Sequence, residues 1–248
     1  MKIKIYLIIT SIFLLSCYDN NAADLDPEVD DSTLSDSLKT VYNTDASRMA
    51  VRYIYENDLP AKNKVIIDST IANMYYFALV NIYNSSSDIR DTVIDTFKIH
   101  TFLNPELNNI IVAVHKDAEW TQYWKKGEKR TGISQIDNLF NLYDLEIRKY
   151  YDWPYNDTFI IRSDIPINIR ALANKFESTG KVSYAEPNGW IGDGNDILGN
   201  RLEDSIKMEY HLKWGDCPAG CILDHWWTFH VDFEGTVEFI GQFGDELY

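Results

Sequence analysis

An α+β fold is expected, with N-terminal helices, a central module of alternating strands and helices, and a C-terminal antiparallel β-meander. Three observations predict it. Apolar residues recur at helical spacing in two stretches before residue 84. Between 109 and 185, short apolar runs and amphipathic stretches follow the order β-α-β-β-α-β. Beyond 205, large apolar and polar residues alternate strictly, as on a sheet with one buried face. Apolar residues are 45% of the 248 and aromatics 14%, which supplies a core and excludes wholesale disorder.

Residues 18–44 read as a spacer. Seven acids, Asp19, Asp24, Asp26, Glu28, Asp30, Asp31 and Asp36, stand against Lys39 alone, and such a stretch cannot bury enough surface to offset its ordering entropy. Thr44 or Asp45 then caps a helix with the apolar set Ala46, Met49, Ala50, Tyr53 and Ile54. A second helix runs from Ser69 to Tyr83 on Ile71, Met74, Tyr75, Ala78, Leu79 and Ile82. Residues 86–102 read as a loop and then an extended stretch, Phe97 to Phe102.

In the middle, Asn109–Val114 is a buried strand. Helices follow at Ala118–Lys126 and Ile133–Tyr143. Strands at Leu145–Tyr151 and Thr158–Arg162 flank a turn at Trp153–Asp157. Asn168 caps a helix through Phe176 that Gly180 stops, and Val182–Ala185 closes the unit. This order is the ferredoxin-like split βαβ arrangement. In the meander, Met208, Tyr210, Leu212 and Trp214 form one buried stripe and Trp227, Phe229 and Val231 the next. Val237, Phe239 and Phe243 supply a third strand.

The N-terminal residues carry a resemblance. Lys2 and Lys4 precede an apolar run, Ile5–Leu15, too short to span a bilayer and suited to a signal h-region. It ends Leu14-Leu15-Ser16-Cys17, which resembles the lipobox of bacterial lipoproteins. The resemblance implies cleavage before Cys17, lipidation of Cys17 (palmitate among its acyl chains), and an outer-membrane anchor facing the periplasm or the cell surface. Removal of Lys2 and Lys4 with residues 1–16 takes the net charge from −15 to −17. That sign argues against nucleic acid and against electrostatic attachment to anionic lipid.

A second resemblance lies in Leu172-Ala173-Asn174-Lys175-Phe176-Glu177 with Val182-Ser183-Tyr184-Ala185-Glu186-Pro187-Asn188. These residues look like the end of a subtilase propeptide or propeptide-like inhibitor domain, and the overlap covers roughly residues 108–188. The resemblance implies the ferredoxin-like fold and protease binding. Gly189–Gly194, which follows, does not have the look of an inhibitory tail.

The expected parts are a signal peptide at 1–16, a lipidated acidic tether at 17–44, a helical part at 45–107, the ferredoxin-like module at 108–190, and an Asp/Gly loop with a disulfide-linked meander at 191–248. Cys217 and Cys221 would meet an oxidising compartment, and Pro218 and Gly220 permit the tight turn a disulfide needs. Asp193, Asn195 and Asp196 offer hard oxygens on a glycine-freed backbone, the donor type for Ca²⁺, though EF-hand spacing is absent. An Asx-Gly loop linking two subdomains is the preferred account of them. Trp226 has the parity to point away from the buried face and to stack on a sugar. No G-x-S-x-G, H-E-x-x-H or P-loop motif occurs. The expected function is that of a non-catalytic, lipid-anchored envelope protein that binds another macromolecule, a protease being one such partner. An envelope hydrolase acting on polysaccharide and a purely structural lipoprotein are the alternatives.

Overall fold

Ser35 accepts a hydrogen bond from Leu38 N (3.3 Å) and caps α1, Asp36–Glu56. The computed structural model describes residues 27–247. Cys17, the signal segment and tether residues 17–26 lie outside them. Helix α1 starts before the expected cap at Thr44 or Asp45, because Leu34, Leu38, Tyr42 and Ala46 recur every four residues on one inward face. The acids among them dominate the composition but not the pattern. Residues 27–34, read as part of the tether, are docked: Leu34 is buried, and Asp31 accepts hydrogen bonds from Tyr76 Oη and Lys39 Nζ, both at 2.8 Å.

Asp68 caps α2, Ser69–Asn84, which is buried almost continuously from Met74 to Ile82. Residues 86–102 are not a loop and a strand. Ser87 caps a short helix, α3 (Asp88–Asp91), which runs into a π-helical turn, Thr92–Thr96. Val93 is fully buried there, and Phe97 packs on Trp227 with ring centroids 5.7 Å apart.

Sheet 1 contains β1 (Asn109–His115), β2 (Leu145–Asp152), β3 (Asn156–Ser163) and β4 (Val182–Pro187) in the order β2-β3-β1-β4, every neighbour antiparallel. This is the ferredoxin-like order. Helices α4 (Thr121–Lys125), α5 (Ser134–Leu142) and α6 (Ile169–Glu177) cover one face. Asn168 caps α6, as the sequence predicts. Trp124 is the centre of this core, with ring centroids of Phe159, Phe140 and Phe176 at 5.0, 5.1 and 6.3 Å.

Sheet 2 has four strands rather than three, in sequence order: β5 (Asp196–Arg201), β6 (Ser205–Trp214), β7 (Leu223–Asp232) and β8 (Val237–Gly244). The extra strand begins inside the segment read as an Asp/Gly loop. Ile197 is fully buried, and the strand pairs with β6 from Asp196↔His211 to Arg201↔Ile206. Helices α1 and α2 pack on this sheet, and Met49, Tyr75, Leu79, Met208, Tyr210 and Trp227 share one core. The helical part and the meander, read as separate segments, are therefore one layered unit with the ferredoxin-like module inserted between them. Asn168 helps join the two, donating to the carbonyls of Lys62 and Lys64 (both 3.1 Å) while its Oδ1 accepts from Tyr55 Oη (3.2 Å).

Gly199 on β5 is required by close approach. A Cβ there would lie 2.4 Å from the Tyr75 ring, which is buried and hydrogen-bonded to Gly199 O at 3.0 Å. Gly199→Ala is expected to cost about 1–3 kcal/mol through overpacking. Tyr75→Phe should cost roughly 1 kcal/mol, and should lower the penalty of Gly199→Ala little because the ring remains. Urea unfolding of the two single variants and the double variant checks this.

Candidate functional site

The face of sheet 1 opposite its helices belongs to neither core. Register builds it row by row. Tyr151 pairs with Thr158, Thr158 with Ala113 and Ala113 with Tyr184, so one row crosses all four strands. The next row is Lys149, Ile160, Ile111 and Glu186. Two exposed tyrosines flank two small buried residues. Lys149 Nζ sits 4.8 Å from the Tyr151 ring centre, within reach of the ring quadrupole. Tyr151 stacks on Trp153, which is 57% exposed at the β2–β3 tip.

Asp157 fixes that tip from the helix side. It is fully buried and accepts from Lys125 Nζ (2.6 Å), Tyr150 Oη (2.9 Å), Lys116 Nζ (3.0 Å) and Thr121 Oγ1 (3.1 Å). Burial pushes its pKa up, but these four partners outweigh burial and hold it below the usual carboxylate range. After β4, the loop carries Trp190 (58% exposed) and Ile191 (96% exposed). Its far end is braced where Asp193 N donates to Cys217 O at 2.9 Å.

Each calcium candidate has a hydrogen-bond partner within the chain. Asp193 accepts from Lys213 Nζ (3.0 and 3.1 Å), Asn195 Oδ1 from Lys213 N (2.9 Å), and Asp196 Oδ1 from Arg52 Nη1 (2.9 Å) and Phe102 N (2.8 Å). The nearest cations of these carboxylates are therefore the chain's own side chains. Among the described residues no group of three His, Cys, Asp or Glu side chains is placed to hold a metal ion. Cys217 and Cys221 are joined as a disulfide with Cα atoms 4.0 Å apart, in the loop between β6 and β7.

No family model, curated protein or solved structure matches the chain. Site assignment therefore rests on its own geometry. The fold alone carries no activity.

Trp226 lies on the outer face of sheet 2, as its parity predicts. It stacks on the exposed Phe243 (5.3 Å, 25°) and covers His211. His211 is directly opposite Trp226 in the register. A site missed at sequence level joins His100 to Asp45: Nδ1 is 2.7 Å from Oδ2, and Oδ1 of this buried carboxylate accepts from Thr101 N (3.0 Å) and Oγ1 (2.5 Å). His100 lines a cavity of about 260 Å³ with Tyr42, Tyr83 and Lys98. The pair is separated by 55 residues, and no motif spacing marks it.

His211 is 2% exposed, and its Nε2 has no hydrogen-bond partner among the described residues. Burial, with Lys213 beside it, pushes its pKa down to about 4 from 6.5. A depressed histidine pKa stabilises the fold fully above pH 6.5, and that contribution is lost as pH falls toward 4. The unfolding free energy should drop by up to about 3 kcal/mol across that window. His211→Gln should flatten this part of the profile, as measured by urea unfolding at successive pH values.

Proposed function

We propose that the protein is a non-catalytic, lipid-anchored component of the bacterial cell envelope that binds another protein through the outer face of sheet 1, in the manner of a protease inhibitor. The observation that carries this reading is the Tyr151–Thr158–Ala113–Tyr184 row. It places two exposed tyrosines on a sheet face that no helix among the described residues covers. Tyrosine supplies large contact area with little rotamer entropy to lose, which suits a preformed binding face. The Trp190–Ile191 loop that leaves the last strand of this sheet is also exposed, although its sequence does not have the look of an inhibitory tail. Lipidation at Cys17 would confine the binder to a membrane surface, since several acyl chains anchor firmly where one does not.

A polysaccharide hydrolase is the second reading, and the half-buried Trp226 stacked on the exposed Phe243 is what favours it. It requires turnover that disappears when a single carboxylate is replaced.

Titration of the full-length chain against a panel of subtilase-type proteases tests the binding reading. Inhibition or a stable complex is expected. Tyr151→Ala with Tyr184→Ala should weaken it by at least about tenfold, each ring contributing on the order of 1–2 kcal/mol. The melting temperature should move little, because both side chains are exposed. Absence of both inhibition and complex, or a double variant that binds as before, would reject the reading. Cys17→Ala should release the chain from the membrane fraction.

A further inference from the structure

We propose that the free edge of β8 receives an extended, basic segment of a partner protein as an added strand, at a site separate from the sheet 1 face.

The two edges of sheet 2 are finished differently. On β5, Arg52 Nη1 donates to Ile197 O (3.2 Å) and Tyr75 Oη to Gly199 O (3.0 Å), so helix side chains satisfy carbonyls along that edge. Along Val237–Gly244 no described residue hydrogen-bonds the outer side of the strand. Exposed edges are ordinarily guarded by lysine, proline or a covering element. Strand β8 has no lysine and no proline, and exposes Phe239, Ile240 and Phe243 by 36%, 48% and 59%. A bulge at Ile240 divides the edge into Val237–Phe239 and Gly241–Gly244, and Glu238 is the one charged residue on the strand.

A cavity of about 410 Å³ lies on the helix side of this edge. Phe229, Val237 and Phe239 form its apolar wall, and Asn81 and Asn84 at the end of α2 form the polar one. A strand added at the usual spacing of about 4.8 Å would direct alternate side chains into that space. Strand addition works in this way, with main-chain bonds for affinity and pockets beside the edge for selectivity. Asn81 Nδ2 is used by Phe77 O (2.9 Å), whereas its Oδ1 receives no hydrogen bond from a described residue. The cavity thus suits a side chain with an apolar stem and a donor at its end.

Charge selects the occupant. Residues 214–248 hold seven acids, Asp216, Asp224, Asp232, Glu234, Glu238, Asp245 and Glu246, and no lysine or arginine. A second copy of this chain would set Glu238, Asp245 and Glu246 of both molecules along one seam, which disfavours self-pairing. A strand carrying lysine or arginine gains where the copy loses.

The full-length chain can be titrated with two fluorescein-labelled ten-residue peptides of alternating valine and charged residues, one with lysine and one with glutamate. Fluorescence anisotropy and amide hydrogen exchange along β8 are the readouts. The lysine peptide should bind at least about tenfold more tightly than the glutamate peptide and should slow exchange in β8. Phe239→Lys and Gln242→Pro, both at exposed edge positions and checked for folding by circular dichroism, should each weaken binding about tenfold. Failure of the lysine peptide to bind, equal binding of the two peptides, or unchanged affinity in both folded variants would overturn the proposal. So would slowing of β8 exchange with rising protein concentration in the absence of peptide, which would assign the edge to a second copy.

Discussion

One face of α1 carries Asp45, Arg48 and Arg52, and the arrangement of the whole molecule depends on what these three hold. The chain leaves the helical layer for sheet 1 through residues 100–105 and returns to sheet 2 at Asp196. Both crossings are fastened to this stripe. Asp45 takes the amide and hydroxyl of Thr101. Arg48 donates to Thr101 Oγ1 (2.5 Å) and Pro105 O (3.1 Å). Arg52 donates to Asn104 O (2.6 Å), Asp196 Oδ1 (2.9 Å) and Ile197 O (3.2 Å). Asp45 and Arg48 are 2% and 4% exposed. Unpaired, such charges would each cost several kcal/mol. Here Asp45 accepts three hydrogen bonds, Arg48 donates two and Arg52 four, so the network tolerates burial and fixes one register between the two layered units.

That constraint anchors sheet 1 while no described helix covers its outer face. Sheet 1 is held from behind by the Trp124 core and from the side by Asn168 and the 100–105 crossing. The same logic separates the two edges of sheet 2. Edge β5 lies against α1 and α2, which cap its carbonyls, whereas β8 lies on the far side with an acidic C-terminal stretch around it. Both proposed contacts are thus surfaces that folding leaves over, which is the expected signature of binding rather than of packing.

Much of the fold was legible because local patterns and tertiary burial agree. The alternation of Met208 and Tyr210, the cap at Asn168 and the apolar run at Asn109 all do in the structure what their spacing predicts. Reading failed where composition and periodicity conflict. Asp36, Lys39 and Asn43 made the start of α1 look like tether, although Leu34, Leu38 and Tyr42 keep a helical period. Strand β5 was hidden by Gly194, Gly199 and three Asp or Asn residues, and Gly199 is explained only by Tyr75, 124 residues away. The candidate sites divide in the same way. The parity of Trp226 was readable within one strand. The tyrosine row required the register of four strands, and the Asp45–His100 pair required the tertiary fold. The ligand type of Asp193, Asn195 and Asp196 was readable, but not that Lys213 and Arg52 would occupy their oxygens.

The central claim is that the α1 stripe makes two cores one cooperative unit. Native-state hydrogen exchange on the full-length chain tests it most directly, comparing the most protected amides of β1 and β3 with those of β6 and β7. In the unaltered protein both sets should report one common opening free energy. In Asp45→Asn with Arg52→Met the two sets should separate, and thermal unfolding should resolve into two transitions. Two distinct opening free energies in the unaltered protein, or a single shared transition that survives both substitutions, would contradict the claim.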